Sequence, residues 1–333
     1  VFLLLIFLSV FAYFFSGEYI YFLCSVIFVM TSRDLFNTNS YGELNNIADK
    51  NKINPTKLIG FSYILGVVIA VLLLPFFGLI ADDNLIYFTY FLMFLITVIF
   101  FYFLIINYKE FKTKTIVKFE KFKTPKTVYL QSLLSALCGI TVFFGVRFLF
   151  PVFLYSVAVK YGLDKNIFSI IGIFAGIIAL LNLISKKEIN LPKNKDLMIN
   201  NYLLYVFCRF LFGILFYVFL QLDNKIFEYI IIFFVIILNI IMEYSSKIWS
   251  IGFIQTLKEQ SHFYQKDPNK VNLTYNSYLS TFVIFKALGG ALAFGIAYLL
   301  YFILNLEIIL IIFSVISIIY GIYIKKYFNN LPF

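Results

Sequence analysis

Apolar runs of about twenty residues recur from one end of this chain to the other, and each is long enough to cross the hydrocarbon core of a bilayer. In lipid every backbone N–H and C=O must be satisfied within the protein, which leaves helices or a closed barrel. Barrel strands are short and alternate apolar with polar residues. The runs here are unbroken, so the expected fold is an all-α polytopic membrane protein. Composition agrees: 62% of the residues are hydrophobic and 13% charged, where soluble domains carry about 25% charged residues.

Ten spans are expected, near 1–15, 19–38, 58–80, 85–107, 129–159, 167–185, 200–220, 229–250, 278–303 and 306–328. The connecting segments fall into two alternating sets. Segments 48–57, 108–127, 186–198, 256–272 and the tail after 324 hold 19 Lys and Arg residues, and segments 16–18, 81–84, 160–166, 221–228 and 304–307 hold 3. Cytoplasmic loops carry the excess of Lys and Arg. This split therefore predicts a plasma-membrane (cell inner membrane) protein with both ends of the chain cytoplasmic. The net charge of +10 then lies at the inner surface, beside anionic lipid headgroups, and gives no reason to expect nucleic acid as a partner.

Several chemistries lack the residues they need. Cys24, Cys138 and Cys208 all fall within apolar runs, no CxxC occurs, and His262 is the one histidine, so no metal site or metal cofactor is expected. No GxxxxGK[ST] motif is present for ATP hydrolysis. Membrane enzymes acting on lipids need clustered acid–base groups, and the acids here are scattered; an enzyme is not expected. What remains is a carrier driven by an ion or proton gradient, moving a small-molecule solute and working as a monomer among membrane lipids.

The basic segment 108–127 divides the chain into four spans and six. The four resemble the last four of the six. MTSRDLFNTNSYGELNNIAD (30–49) and EYSSKIWSIGFIQTLKEQSH (243–262) each leave an apolar run through Ser and a cation. Each stays helix-compatible up to a basic, proline-containing loop, NKINPTK or QKDPNK. The spans that follow begin at Leu65-Gly66 and Leu288-Gly289 and match in layout. Such weak internal symmetry is common in transporters. If the repeat holds, two spans are missing at the front, and the chain, which starts at Val1 inside an apolar run, is an N-terminal truncation of a pseudo-symmetric 6+6 bundle. The expected domains are 1–107, the last four helices of the first half; 108–127, a cytoplasmic linker; and 128–333, a six-helix bundle.

In this layout the chain resembles the major facilitator superfamily of secondary transporters, as its third to twelfth helices. The basic central loop, the inside ends and the long polar cytoplasmic ends of the second and eighth spans carry the resemblance. The second-half echo of that family's glycine-acid-arginine loop would fall at GIIALLNLISKK, where Gly176 and Lys186-Lys187 fit and the acid is absent. The resemblance implies alternating access around a midplane cavity bordered by the spans that hold Arg33, Arg147 and Asn239.

Polar residues inside spans must face protein or a water-filled cavity. In the second span, Arg33, Asn37 and Tyr41 form one helical stripe and Asp34, Thr38 and Tyr41 its neighbour. In the eighth, Asn239, Glu243 and Lys247 form another, with Glu243 and Lys247 in the favourable order for an i,i+4 ion pair. Arg147 lies near the middle of its span with no acid within four positions, flanked by Gly145 and Pro151. Cargo contact is therefore assigned to Arg147, Asn239, Asn37 and Tyr41, and gating or coupling to Arg33, Asp34, Glu243 and Lys247. Arg209 reads as an interhelix or snorkelling cation, and Lys286 as a structural one beside the close-packing Gly289-Gly290 pair. Five cations against three acids (Asp34, Glu43 and Glu243) in or just beyond the spans tilt the cargo towards an organic anion. The rival reading is a lipid or lipid-linked oligosaccharide flippase of another polytopic fold, with more than twelve spans in the full chain and no half-to-half repeat.

Overall fold

The computed structural model describes residues 146–184, 195–266 and 268–329 continuously, with isolated positions at 8, 11, 12, 21, 24, 76, 78–80, 82–84, 91, 94, 95, 98, 99, 102, 105 and 128. The described residues are helical, with no strand among them. Six α-helices follow one another: α1 (Val146–Lys160), α2 (Ile167–Ile184), α3 (Lys195–Gln221), α4 (Lys225–Tyr264), α5 (Pro268–Tyr301) and α6 (Leu306–Asn329), with a 3-10 turn at Asp164–Asn166. Apart from those isolated positions, the expected spans within 1–107, much of the span at 129–159, and the linker at 108–127 lie outside the described residues.

Among the described residues four stretches are long and apolar enough to cross a membrane: Met198–Gln221, Lys225–Ser246, Thr274–Tyr301 and Leu306–Tyr327. They fall where the last four spans were expected. The helix α4 runs on past the expected span end at 250 to Tyr264, in line with the helix-compatible stretch leading up to QKDPNK, and reaches 40 residues, about 60 Å of helix. The reason is local. No proline interrupts the sequence before Pro268, and Trp249, Phe253 and Leu257 keep a buried apolar stripe going beyond the membrane-length segment. Gly252 lets α3 come close here, since a Cβ at that position would lie 2.5 Å from Met198 Cγ. Pro268 then opens α5, at a helix position where its missing N–H costs nothing.

The helices have identifiable ends. After α1, Gly162 takes φ +68, Gly162 N donates to Val159 O and Leu163 N to Ala158 O. This is the Schellman arrangement, and a residue with a Cβ would strain it. Asn224 caps α4, its Oδ1 accepting from Ile226 N at 3.0 Å. α3 packs along both α4 and α6 and runs antiparallel to α6: Gly213 meets Leu310 and Ile311, while Gly321 meets Tyr202 and Leu203. Phe153, Phe212, Phe216 and Phe219 pack as one ring cluster between α1 and α3, and Tyr202, Trp249, Phe253 and Phe282 as another across α3, α4 and α5.

Candidate functional site

Polar chemistry gathers at three levels of the helical layer. The first is the end where α1 stops, α3 stops and α4 begins. Lys160 Nζ lies 3.0 Å from Glu228 Oε1 and donates to the carbonyl oxygens of Phe219, at 3.0 Å, and Leu222. These carbonyls belong to the last turn of α3 and its exit, where helix geometry leaves acceptors unsatisfied, so one ammonium serves both. It also sits 4.9 Å over the Phe219 ring. Tyr161 Oη donates to Glu228 Oε2 at 2.5 Å, and its ring stacks on Tyr229. Desolvation, and then the hydrogen bond to the Glu228 carboxylate, push the Tyr161 phenol up to about 12. Glu228 is buried in the first turn of α4, where the helix dipole favours a negative charge.

At the same end an earlier part of the chain joins this bundle. Asp82 Oδ1 accepts from Phe168 N at 2.7 Å, and Oδ2 accepts from Ser169 N at 2.8 Å and from the Ser169 hydroxyl. Two of the orphan N–H groups that open α2 are thus satisfied by a carboxylate 86 residues away from Phe168. Close approach is needed, and Gly78 supplies it: a Cβ there would lie 2.5 Å from Phe168 O. Asp82 thus meets the helix that the 160–166 segment enters, and 160–166 in turn meets 221–228. Segments 81–84, 160–166 and 221–228 all belong to the set poor in Lys and Arg.

The second level is Arg209, midway along α3 and fully buried. Its Nε donates to Ser314 Oγ at 3.0 Å, and Nη2 to Ser317 Oγ at 2.7 Å and Phe313 O at 3.1 Å. The two serines donate their own protons to carbonyls four residues back, Leu310 O and Phe313 O, leaving their lone pairs for the guanidinium. Arg209 is thus an interhelix tie between α3 and α6, one of its two expected roles, and does not snorkel.

The third level is the buried face of α4. Asn239 is fully buried, and neither its amide nitrogen nor its amide oxygen has a hydrogen-bond partner among the described residues. The Ser245 hydroxyl and the Trp249 indole nitrogen are buried and unmatched in the same way. An unmade hydrogen bond at a buried amide costs about 1–3 kcal/mol, and lipid offers no alternative partner.

Of the other residues expected at the site, Glu243 lies half-buried on α4, its carbonyl accepting from Ser246 Oγ at 2.9 Å. Arg147 lies on α1, but its side chain and that of Lys247 lie outside the described residues, so the Glu243–Lys247 pair is not described. Asn37, Tyr41, Arg33 and Asp34 also lie outside the described residues. Asp82, Lys160, Tyr161 and Glu228 all fall in segments that the sequence reads as connecting loops. The available signal was Asn224 followed by Glu228, a capped helix start carrying an acid in its first turn. Among the described residues no group of three or more His, Cys, Asp or Glu side chains is placed to hold a metal ion. No known protein-family model, no curated protein and no solved structure matches this chain.

Proposed function

We propose that this chain is a secondary active transporter that moves a small polar solute across the plasma membrane by alternating access, with both ends of the chain in the cytoplasm. The observation that carries the reading is Asn239. A fully buried amide within a membrane-length apolar stretch, with neither of its polar atoms matched among the described residues, is costly unless water or cargo completes its hydrogen bonds. Such a group belongs on a path for a polar molecule. The resemblance to the major facilitator superfamily puts the same span beside the central cavity, and the 19-to-3 division of Lys and Arg sets the orientation.

The expectation of an anionic cargo rested on five intramembrane cations. Arg209 drops from that argument, because Ser314, Ser317 and Phe313 engage it. Arg147 becomes the main support for an anion, with Asn239 as a neutral contact.

The test is flux. Proteoliposomes holding the purified chain are given an inward proton or sodium gradient and a panel of labelled organic acids, sugars and amino acids. Saturable, gradient-dependent accumulation of one class is expected. No accumulation of any, together with rapid exposure of a fluorescent phospholipid to an impermeant quencher in the same vesicles, would overturn this reading in favour of a flippase.

A further inference from the structure

We infer that Asp82 and the start of α2 form a latch that holds the Lys- and Arg-poor end of the protein closed, and that this contact breaks each time that end opens. The inference deepens the transporter reading and rests on it for its meaning, but not for its test. Asp82 lies just after the third expected span, in the first half of the chain, and α2 lies in the second half. Three hydrogen bonds from one carboxylate to Phe168 N, Ser169 N and Ser169 Oγ join them. The bonded groups are exchangeable with water. Two are helix-opening N–H groups that water can hydrate, and the carboxylate is as well solvated free as bound. Such a contact is specific in geometry and modest in strength, as a reversible latch requires.

The surroundings make the contact transmit force. The connection from α1 to α2 is short: Gly162 closes α1, and the 3-10 turn Asp164–Asn166 leads straight into α2. Lys160 and Tyr161, at the end of α1, are in turn held by Glu228 of α4 and by the α3 carbonyls. The start of α2 is therefore fixed to α1, α3 and α4 together. A pull by Asp82 acts on the second half as a body and not on one loose helix end. Gly78, seated against Phe168 O and Ser169 Cα, gives the closed state its close fit without adding side-chain interdigitation that would resist opening.

Spin labels at Leu79 and Lys165, both exposed, report the width of this end by double electron–electron resonance on the full chain in nanodiscs. Asp82→Ala is expected to raise the long-distance population about tenfold, the scale of losing a helix cap. Asp82→Asn, which can still cap, is expected to fall between Asp82→Ala and the native chain. A frayed α2 alone would broaden the short peak without adding a discrete longer one, and that outcome overturns the latch. An unchanged distribution in Asp82→Ala overturns it too. A disulfide between Asp82→Cys and Ser169→Cys, with the three native cysteines replaced by Ser, is expected to abolish the long population until it is reduced; a persistent long population contradicts the inference. Flux is measured separately. A latch that opens in a chain that carries no solute leaves the inference standing and removes the transporter reading.

Discussion

The Arg209 guanidinium donates to Ser317 Oγ across 2.7 Å, and that contact ties α3 to α6 in the middle of two membrane-length stretches. A cation at this depth is expensive. It is tolerated because hydroxyls and a carbonyl of α6 face it and because the serines hand their own protons to backbone carbonyls.

Removing one side of this tie should cost more than removing both. Ser317→Ala leaves the guanidinium short of an acceptor and is expected to destabilise the protein by about 1–3 kcal/mol. Arg209→Met combined with Ser314→Ala and Ser317→Ala replaces the whole group by apolar surface and should cost less than Arg209 left facing two alanines. Thermal unfolding of the four chains in one detergent checks the order.

Raising the pH should loosen the α1–α4 junction. The folded Tyr161 phenol titrates near 12, above its ordinary 10.0. A group raised in this way contributes stability that is complete below the unfolded pKa and is lost as pH climbs through the folded one. Unfolding temperature should therefore fall between pH 10 and pH 12. The fall attributable to this group should vanish in Tyr161→Phe and shrink in Glu228→Gln.

Gly162→Ala tests the turn that fixes α2 to α1. Nothing lies within 4 Å of the added methyl, so any loss reflects the left-handed backbone alone. About 1 kcal/mol is expected from thermal unfolding, with the long-distance population of the Leu79–Lys165 pair rising as the junction softens.

Much of this architecture is legible along the chain, because membrane helices are specified by length and apolarity, both local properties. The stretches at Met198–Gln221 and Leu306–Tyr327 lie within a few residues of where the apolar runs put them. The continuation of α4 is legible too, in the absence of proline and the spacing of Trp249, Phe253 and Leu257. Asn239 stands out as a polar residue in an apolar run. What sequence does not display is who meets whom. Asp82 finds Phe168, Tyr161 finds Glu228, and Arg209 finds Ser314, across 86, 67 and 105 residues. Charges at span ends look alike whether they face water or a partner, so Asp82 and Glu228 fall in segments that read as loop. The isolation of the Asn239 amide is likewise a property of packing, since only the assembled helices exclude the groups it would have bonded.

Arg147→Ala is expected to abolish solute uptake while leaving insertion and the unfolding temperature unchanged. Uptake by proteoliposomes and a thermal melt on the same preparation check this, and normal uptake would take Arg147 out of the site.

The most direct test of the central claim is gradient-driven uptake by Asn239→Leu beside the native chain. Leucine keeps the branched shape of asparagine and removes the unmatched amide. The account predicts a chain that unfolds at the same temperature or higher and accumulates no solute above empty vesicles. Native uptake by the variant, or a variant that has lost its fold, would contradict the assignment of Asn239 to the path.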